Sequence, residues 1–348
     1  MTTLTRRACA ARQTRRACAA SLTRRACAAA VTALALPLAA LPVTAMAACD
    51  WKPERAVTYV VPWGAGGGTD ANSRMLASML ERAWGVPFNV VNRTGGNGVT
   101  GHSAIATAAP DGYTIGAVTV EINTMHWVGL TDMTSASMTP LALVDIVPSS
   151  VLVRKDSPYQ TLGALLADAK ARPGELTASG TSQGGIWHLA LAGMLNAEGA
   201  APDAIRWIPS QGAAPALQEL MAGGVDVATP ALSEGKALVE SGEIRALAYM
   251  HDARMAALPD VPTTREILPS GWTLAAYITA SGPAGMSDEI ACSYEAAIAE
   301  AFKSQEWADF KAGRGSEVVS MPRAELTAFM QASDAALGEV IKAVGLAK

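Results

Sequence analysis

From residue 56 onward, short apolar runs rich in β-branched side chains alternate with stretches whose apolar residues recur every three or four positions. The strand-like runs fall at 56–61, 88–91, 114–118, 150–154, 176–179, 205–208, 225–229 and 244–250. Helical spacing marks 72–83, 162–171, 187–196, 214–222, 233–241, 288–304 and 323–344. This alternation predicts βαβ units on a largely parallel sheet, with ligands held beyond the carboxyl ends of the strands. The charged stretches at 306–311 and 323–325 read as solvated helix faces.

The most informative junction runs from Tyr59 to Asp70, where a β-branched run stops at Pro62 and passes through Trp63, Gly64, Gly66, Gly67 and Gly68. A helix pattern then begins at Thr69 and Asp70, either of which can serve as its N-cap. A glycine loop opening a helix bares its first N–H groups, and with the helix dipole these make an anion site. The phosphate-loop lysine is missing, so a carboxylate suits the loop better than a nucleotide. Similar strand–glycine–helix junctions recur at 92–98, at Gly180-Thr181-Ser182-Gln183-Gly184-Gly185 before Trp187, and at 209–214. One such loop can be a mere turn; several alike suggest helix N-termini converging on one ligand.

The first 47 residues hold seven arginines and no acid, followed by an apolar run and Ala45-Met46-Ala47. This reads as a secretory signal peptide cleaved near Ala47, too short and too broken by Pro37 and Pro42 to span a membrane. A Thr-Arg-Arg-Ala-Cys-Ala-Ala segment repeats at 5–11, 14–20 and 23–29 and only lengthens the basic region. The whole chain carries 27 basic and 31 acidic residues; without the leader these become 27 − 7 = 20 and 31, a net charge of −11. So acidic a chain is a poor partner for nucleic acid or anionic lipid. Roughly 300 residues remain, enough for two domains in an exported, periplasmic protein. Of the two cysteines left, Cys49 can bridge to Cys292, or it can carry a lipid as the first mature residue. Methionine three positions before it argues against the lipid.

Gly180-Thr181-Ser182-Gln183-Gly184 also fits the nucleophile elbow of a hydrolase, with Asp226 and His251 following in triad order. Almost 100 residues follow His251, whereas the hydrolase histidine sits near the C-terminus. Gly96-Asn97-Gly98-Val99-Thr100-Gly101 fits a dinucleotide fingerprint, but its first glycine stands too far from the preceding strand. His102, His126, His188 and His251 show no metal-ligand spacing, so neither metal nor cofactor is expected.

The ordered set of segments resembles the extracytoplasmic substrate-binding proteins of tripartite tricarboxylate transporters, the Bug or TctC-like family. The matching pieces include Pro62–Asp70 (with Trp63 where phenylalanine is usual), Val91–Gly98, Ala109-Pro110-Asp111-Gly112-Tyr113, Gly212–Leu217, Gly223-Gly224-Val225-Asp226, Leu258–Thr263 and Gly282-Pro283-Ala284-Gly285. The resemblance implies an α/β, two-lobed clamshell of periplasmic-binding-protein type (type II-like), each lobe a mainly parallel sheet flanked by helices. Lobe 1 would comprise 48–150 plus 271–348 and lobe 2 151–270. It further implies a monomeric, non-enzymatic receptor that delivers a small di- or tricarboxylate or aromatic acid to membrane permease subunits. Its ligand contacts would be Gly66, Gly67, Gly68, Thr69 and Asp70 in the first loop and Gly180, Thr181, Ser182 and Gln183 in the second. Trp63 and Trp187 would limit ligand shape, and Asp226 would cap a helix or hold water near the cleft. A secreted α/β hydrolase with Ser182 as nucleophile, or a sensory receptor presenting its ligand to a signalling partner, are the other readings.

Overall fold

A computed structural model describes residues 49–348; the predicted leader, 1–47, lies outside them. Two five-stranded sheets organise the chain. The strands of the first are β1 (Val57–Val61), β2 (Phe88–Asn92), β3 (Thr114–Thr119), β4 (Met138–Pro148) and β10 (Ala275–Pro283). Those of the second are β5 (Ser150–Arg154), β6 (Leu176–Ser179), β7 (Ile205–Trp207), β8 (Val227–Ala228) and β9 (Ile244–Tyr249). The helices are α1 (Gly68–Trp84), α2 (Val99–Ala106), α3 (Leu162–Ala171), α4 (Ile186–Ala197) and α5 (Ala213–Ala222). They continue with α6 (Leu232–Glu240), α7 (Thr264–Ile267), α8 (Asp288–Phe302), α9 (Gln305–Arg314) and α10 (Arg323–Ala343).

The first sheet is ordered β2-β1-β3-β10-β4 and the second β7-β6-β8-β5-β9. In each, four strands share one direction and a single strand, β10 or β5, runs against them. The two sheets therefore repeat one plan, and the mainly parallel expectation holds with one antiparallel strand set into each. Strands buried on both faces read as continuous apolar runs, as Val57–Val61 does. One face of the first sheet packs Val57, Tyr59, Ile115 and Leu141 under α1, α8 and α9. Its other face, with Val60, Val118 and Tyr277, meets α2, α10 and the start of α4, so this apolar cluster is shared with the second sheet's helices. The chain leaves the first sheet at Pro148, enters the second at Ser150, and returns at Ala275.

Two long strands, β4 and β10, carry no alternating pattern, and sequence reasoning passed over both. They pair with each other from Ala275 opposite Pro148 to Pro283 opposite Met138. Pro140 and Asp145 interrupt β4, and small residues fill β10, which erases the periodicity. The segment 306–311 corrects the expected solvated face: it belongs to α9, where Trp307 is fully buried and Lys311 is 1 % exposed.

Candidate functional site

The loops after β1, β3, β6 and β7 all run to one side and enclose a cavity between the two sheets. On the first-sheet side, α1 begins at Gly68 with Gly67 as N-cap, so neither Thr69 nor Asp70 caps it. Asp70 is instead 4 % exposed and turned back on the loop. Its carboxylate accepts from Gly66 N at 3.0 Å, Arg74 Nε at 2.9 Å and Asn92 Nδ2 at 2.8 Å. Burial alone would raise this carboxyl, but the Arg74, Gly66 and Asn92 hydrogen bonds outweigh it and hold it below the usual range. Asp70 thus shapes the loop that Trp63, Gly67, Gly68 and Thr69 present to the cavity. The Trp63 indole donates to Thr119 Oγ1 at 3.1 Å, fixing its ring against the end of β3.

The second-sheet side contributes Thr181, Ile186 and Trp187 from the β6–α4 junction and Gln211–Pro215 from the start of α5. Gly180 is a packing requirement: a Cβ there would stand 2.7 Å from Trp187 Cβ and 3.0 Å from the Trp207 ring. Trp187 is 5 % exposed and belongs to the shared apolar cluster as well as to the cavity wall. Gly66, Asp70, Gly180 and Ser182 do not line the cavity, and Gln183 lines a separate depression with His188 and Trp207. Asp226 also lies elsewhere, accepting from Thr177 N at 2.8 Å and Thr177 Oγ1 at 2.9 Å beside Arg154 and Arg172. The triad is not assembled: His251 is exposed and bonded at Nδ1 to Ala253. Among the described residues no three His, Cys, Asp or Glu side chains group as metal ligands would.

Four charged side chains that sequence reasoning missed, Glu121, Asp145, Glu234 and Arg314, line the cavity. Glu121, 2 % exposed, follows β3 and accepts from Thr119 Oγ1 at 2.6 Å and, across the cleft, from Ile186 N at 3.4 Å at the start of α4. Glu234 of α6 accepts from Gly68 N at 3.0 Å at the start of α1. It also accepts from Ala231 N at 3.2 Å, completing its own helix cap. Each side of the cavity therefore places a carboxylate on the first N–H of a helix from the other. Burial raises both carboxyls; hydrogen bonds to Thr119 and to Gly68 respectively oppose this. Glycine at position 68 leaves room for this closeness: a Cβ would lie 3.0 Å from Glu234 Oε1 and 3.4 Å from Arg314 Nη2, so both side chains would have to give way slightly.

Behind them Asp145 and Lys311 form a buried ion pair with oxygen and nitrogen 2.5 Å apart. Burial pushes both toward their neutral forms, the carboxyl up and the ammonium down, and the contact between them resists it. Asn72 donates to Asp145 Oδ2 at 3.1 Å and to Gly68 O at 2.9 Å. Arg314 lines the cavity and, among the described residues, forms no ion pair; its guanidinium lies 5.8 Å over the Phe310 ring. None of these residues falls in the strand–glycine–helix junctions singled out from sequence, which is why motif spacing could not find them.

Two buried histidines brace the loops. His102 accepts from Thr119 N at 3.0 Å through Nε2, and its Nδ1 lies 2.7 Å from Gly98 O, so the proton sits on Nδ1. His188 accepts from Gly184 N at 2.9 Å. Desolvation holds both at about 4, so both are neutral near pH 7.

The expected Cys49–Cys292 pairing is formed, with Cα atoms 5.4 Å apart. Among the described residues no helix is long and apolar enough to cross a membrane.

A family model described as the tripartite tricarboxylate transporter family receptor matches residues 73–346. Protein BugT of Bordetella pertussis is 31 % identical over 291 residues, covering 81 % of this chain and 87 % of its own. A Rhodopseudomonas palustris structure described as Rpa4515 with adipate superposes with TM-score 0.80 at 30 % identity, covering 86 % of this chain and 99 % of its own. The periplasmic binding protein BugD superposes with TM-score 0.79 at 26 % identity, covering 85 % and 99 %.

Proposed function

Because the chain belongs to the tripartite tricarboxylate transporter receptor family, we propose that it captures a small carboxylate in the periplasm and delivers it to the permease subunits of such a transporter. Members of the family are substrate-binding receptors and not enzymes. The observation that carries the reading is the cavity itself. It lies beyond the carboxyl ends of β1, β3, β6 and β7, ringed by the starts of α1, α4 and α5. The R. palustris relative described with adipate, at 30 % identity, supports a carboxylic acid as ligand.

In the proposed division, residues 48–150 with 271–348 form one lobe and 151–270 the other, in a protein that acts as a monomer after loss of its leader. The ligand lies against Trp63, Gly67, Gly68, Thr69, Thr181 and Trp187, with Gln211–Ala214 added from the start of α5. The enclosed cavity is only about 70 Å³. Ligand pockets typically span ~300 Å³ or more, so the lobes must part at the two strand crossings to admit a ligand. Binding then shifts an open–closed equilibrium.

The test is thermal unfolding of the protein from residue 49 onward, refolded from denaturant to free it of bound ligand, with a panel of aliphatic and aromatic carboxylates. A true ligand at 100 times its Kd stabilises the fold by about 2.7 kcal/mol. A panel in which no carboxylate raises the melting temperature refutes the proposal.

A further inference from the structure

Resting on the reading of this cavity as a carboxylate-capture site, we propose that its ligand is a monocarboxylate bearing a cationic or N–H donor nitrogen, and that plain di- and tricarboxylates are selected against. Glu234 and Glu121 already take the first N–H of α1 and of α4, so one backbone donor at each of these helix starts is withdrawn from a ligand's carboxylates. The cavity wall also carries two anion-binding elements that no carboxylate holds among the described residues: the start of α5 at Gly212–Ala214 and the guanidinium of Arg314. Together they suit one carboxylate.

Apart from Arg314, the charged groups on the wall are acceptors. Glu121, Glu234 and Asp145 all line the cavity, and Lys311 neutralises only Asp145. Asn72 adds an independent sign. It is 1 % exposed, and its Nδ2 is committed to Gly68 O and Asp145 Oδ2, which fixes the amide orientation. Its Oδ1 is buried and has no hydrogen-bond partner. An orphaned buried acceptor on a cavity wall calls for a donor from whatever fills the cavity.

Charge decides between ligand classes. With both glutamates ionised and Arg314 charged, the wall carries about −1 beyond the neutralised Asp145–Lys311 pair. A dicarboxylate would add two negative charges to this low-dielectric space. A ligand of one carboxylate and one ammonium adds none, and places its cation among the acceptors that repel an anion. Burial is the main force raising the Glu121 and Glu234 carboxyls, with a smaller push from neighbouring carboxylates, and a bound cation would favour their charged forms.

The test is calorimetric binding at pH 7.5 of chain-matched pairs: succinate against 3-aminopropanoate, glutarate against 4-aminobutanoate, adipate against 6-aminohexanoate, with the ω-amides as a third series. The expected result is at least tenfold tighter binding of the amino or amide member in one length class. The Glu121→Gln variant, checked for fold by circular dichroism, should shrink that preference at least tenfold. Equal or tighter binding of the dicarboxylates to the wild type overturns the inference while leaving carboxylate capture intact. That result would be sharpest if dicarboxylate affinity rises as pH falls, because protonated Glu121 and Glu234 would then be the donors. Failure of all three series to bind overturns carboxylate capture itself, and this inference with it.

Discussion

At the scale of single residues, the chemistry of the loops is set by small numbers of buried polar atoms. His188 shows how such a group reads out in solution. Its folded pKa of about 4 lies below the ordinary 6.5 because burial disfavours the charged ring. As pH falls below 6.5 the unfolded chain takes up this proton and the folded protein does not. The stability contribution is therefore complete above pH 6.5 and is lost progressively down to about pH 4. One such group gives a slope of about 1.4 kcal/mol per pH unit. Denaturant unfolding of wild type and His188→Asn between pH 6.5 and 4 should show the variant's slope reduced by about that amount; equal slopes would contradict the burial argument. Sequence made the glycines of the first loop legible, because backbone that turns into a helix needs them. It could not reveal Asp70 as the loop's internal brace or Glu121 and Glu234 as cavity walls. Their roles depend on partners 22, 65 and 166 positions away.

At the scale of elements, the helices and short parallel strands were legible wherever burial on a sheet imposed a period. The β4–β10 pair was not, because its residues answer to each other and to the ion pair beneath them rather than to an alternating pattern. α9 makes the point sharply. Its sequence is rich in charge, yet Trp307 stacks on Phe302 with ring centres 4.6 Å apart, and Lys311 reaches Asp145 of β4. Removing one member of such a pair strands the other in low dielectric. Lys311→Met should therefore cost about 3–5 kcal/mol. Adding Asp145→Asn to it should recover part of that loss, measured by denaturant midpoint at pH 7. If Lys311→Met alone costs under about 1 kcal/mol, the pair does not anchor α9.

At the scale of the whole molecule, the N-terminal segment is stapled to the fold by Cys49–Cys292 across 243 positions. Trp51 sits among Trp84, Tyr113 and Tyr294 at ring distances of 5.6 to 6.2 Å. Closing so long a loop restricts the unfolded chain, so Cys49→Ser with Cys292→Ser should cost about 2–4 kcal/mol. Unchanged urea midpoints would show that the staple holds only a fraying end. The strand orders carry a consequence in time as well as in space. Among the described residues β4 pairs with no strand but β10, and β10 begins 127 positions after β4 ends, at Ala275 against Pro148. The second sheet, by contrast, is complete within Ser150–Tyr249. As the chain is made from its N-terminus, the first sheet stays without its one antiparallel strand, the link between β3 and β4, until nearly the last 70 residues remain, and its edge strand has nothing to join. The molecule is thus built to finish late: the first sheet can close only after the whole second sheet has been made.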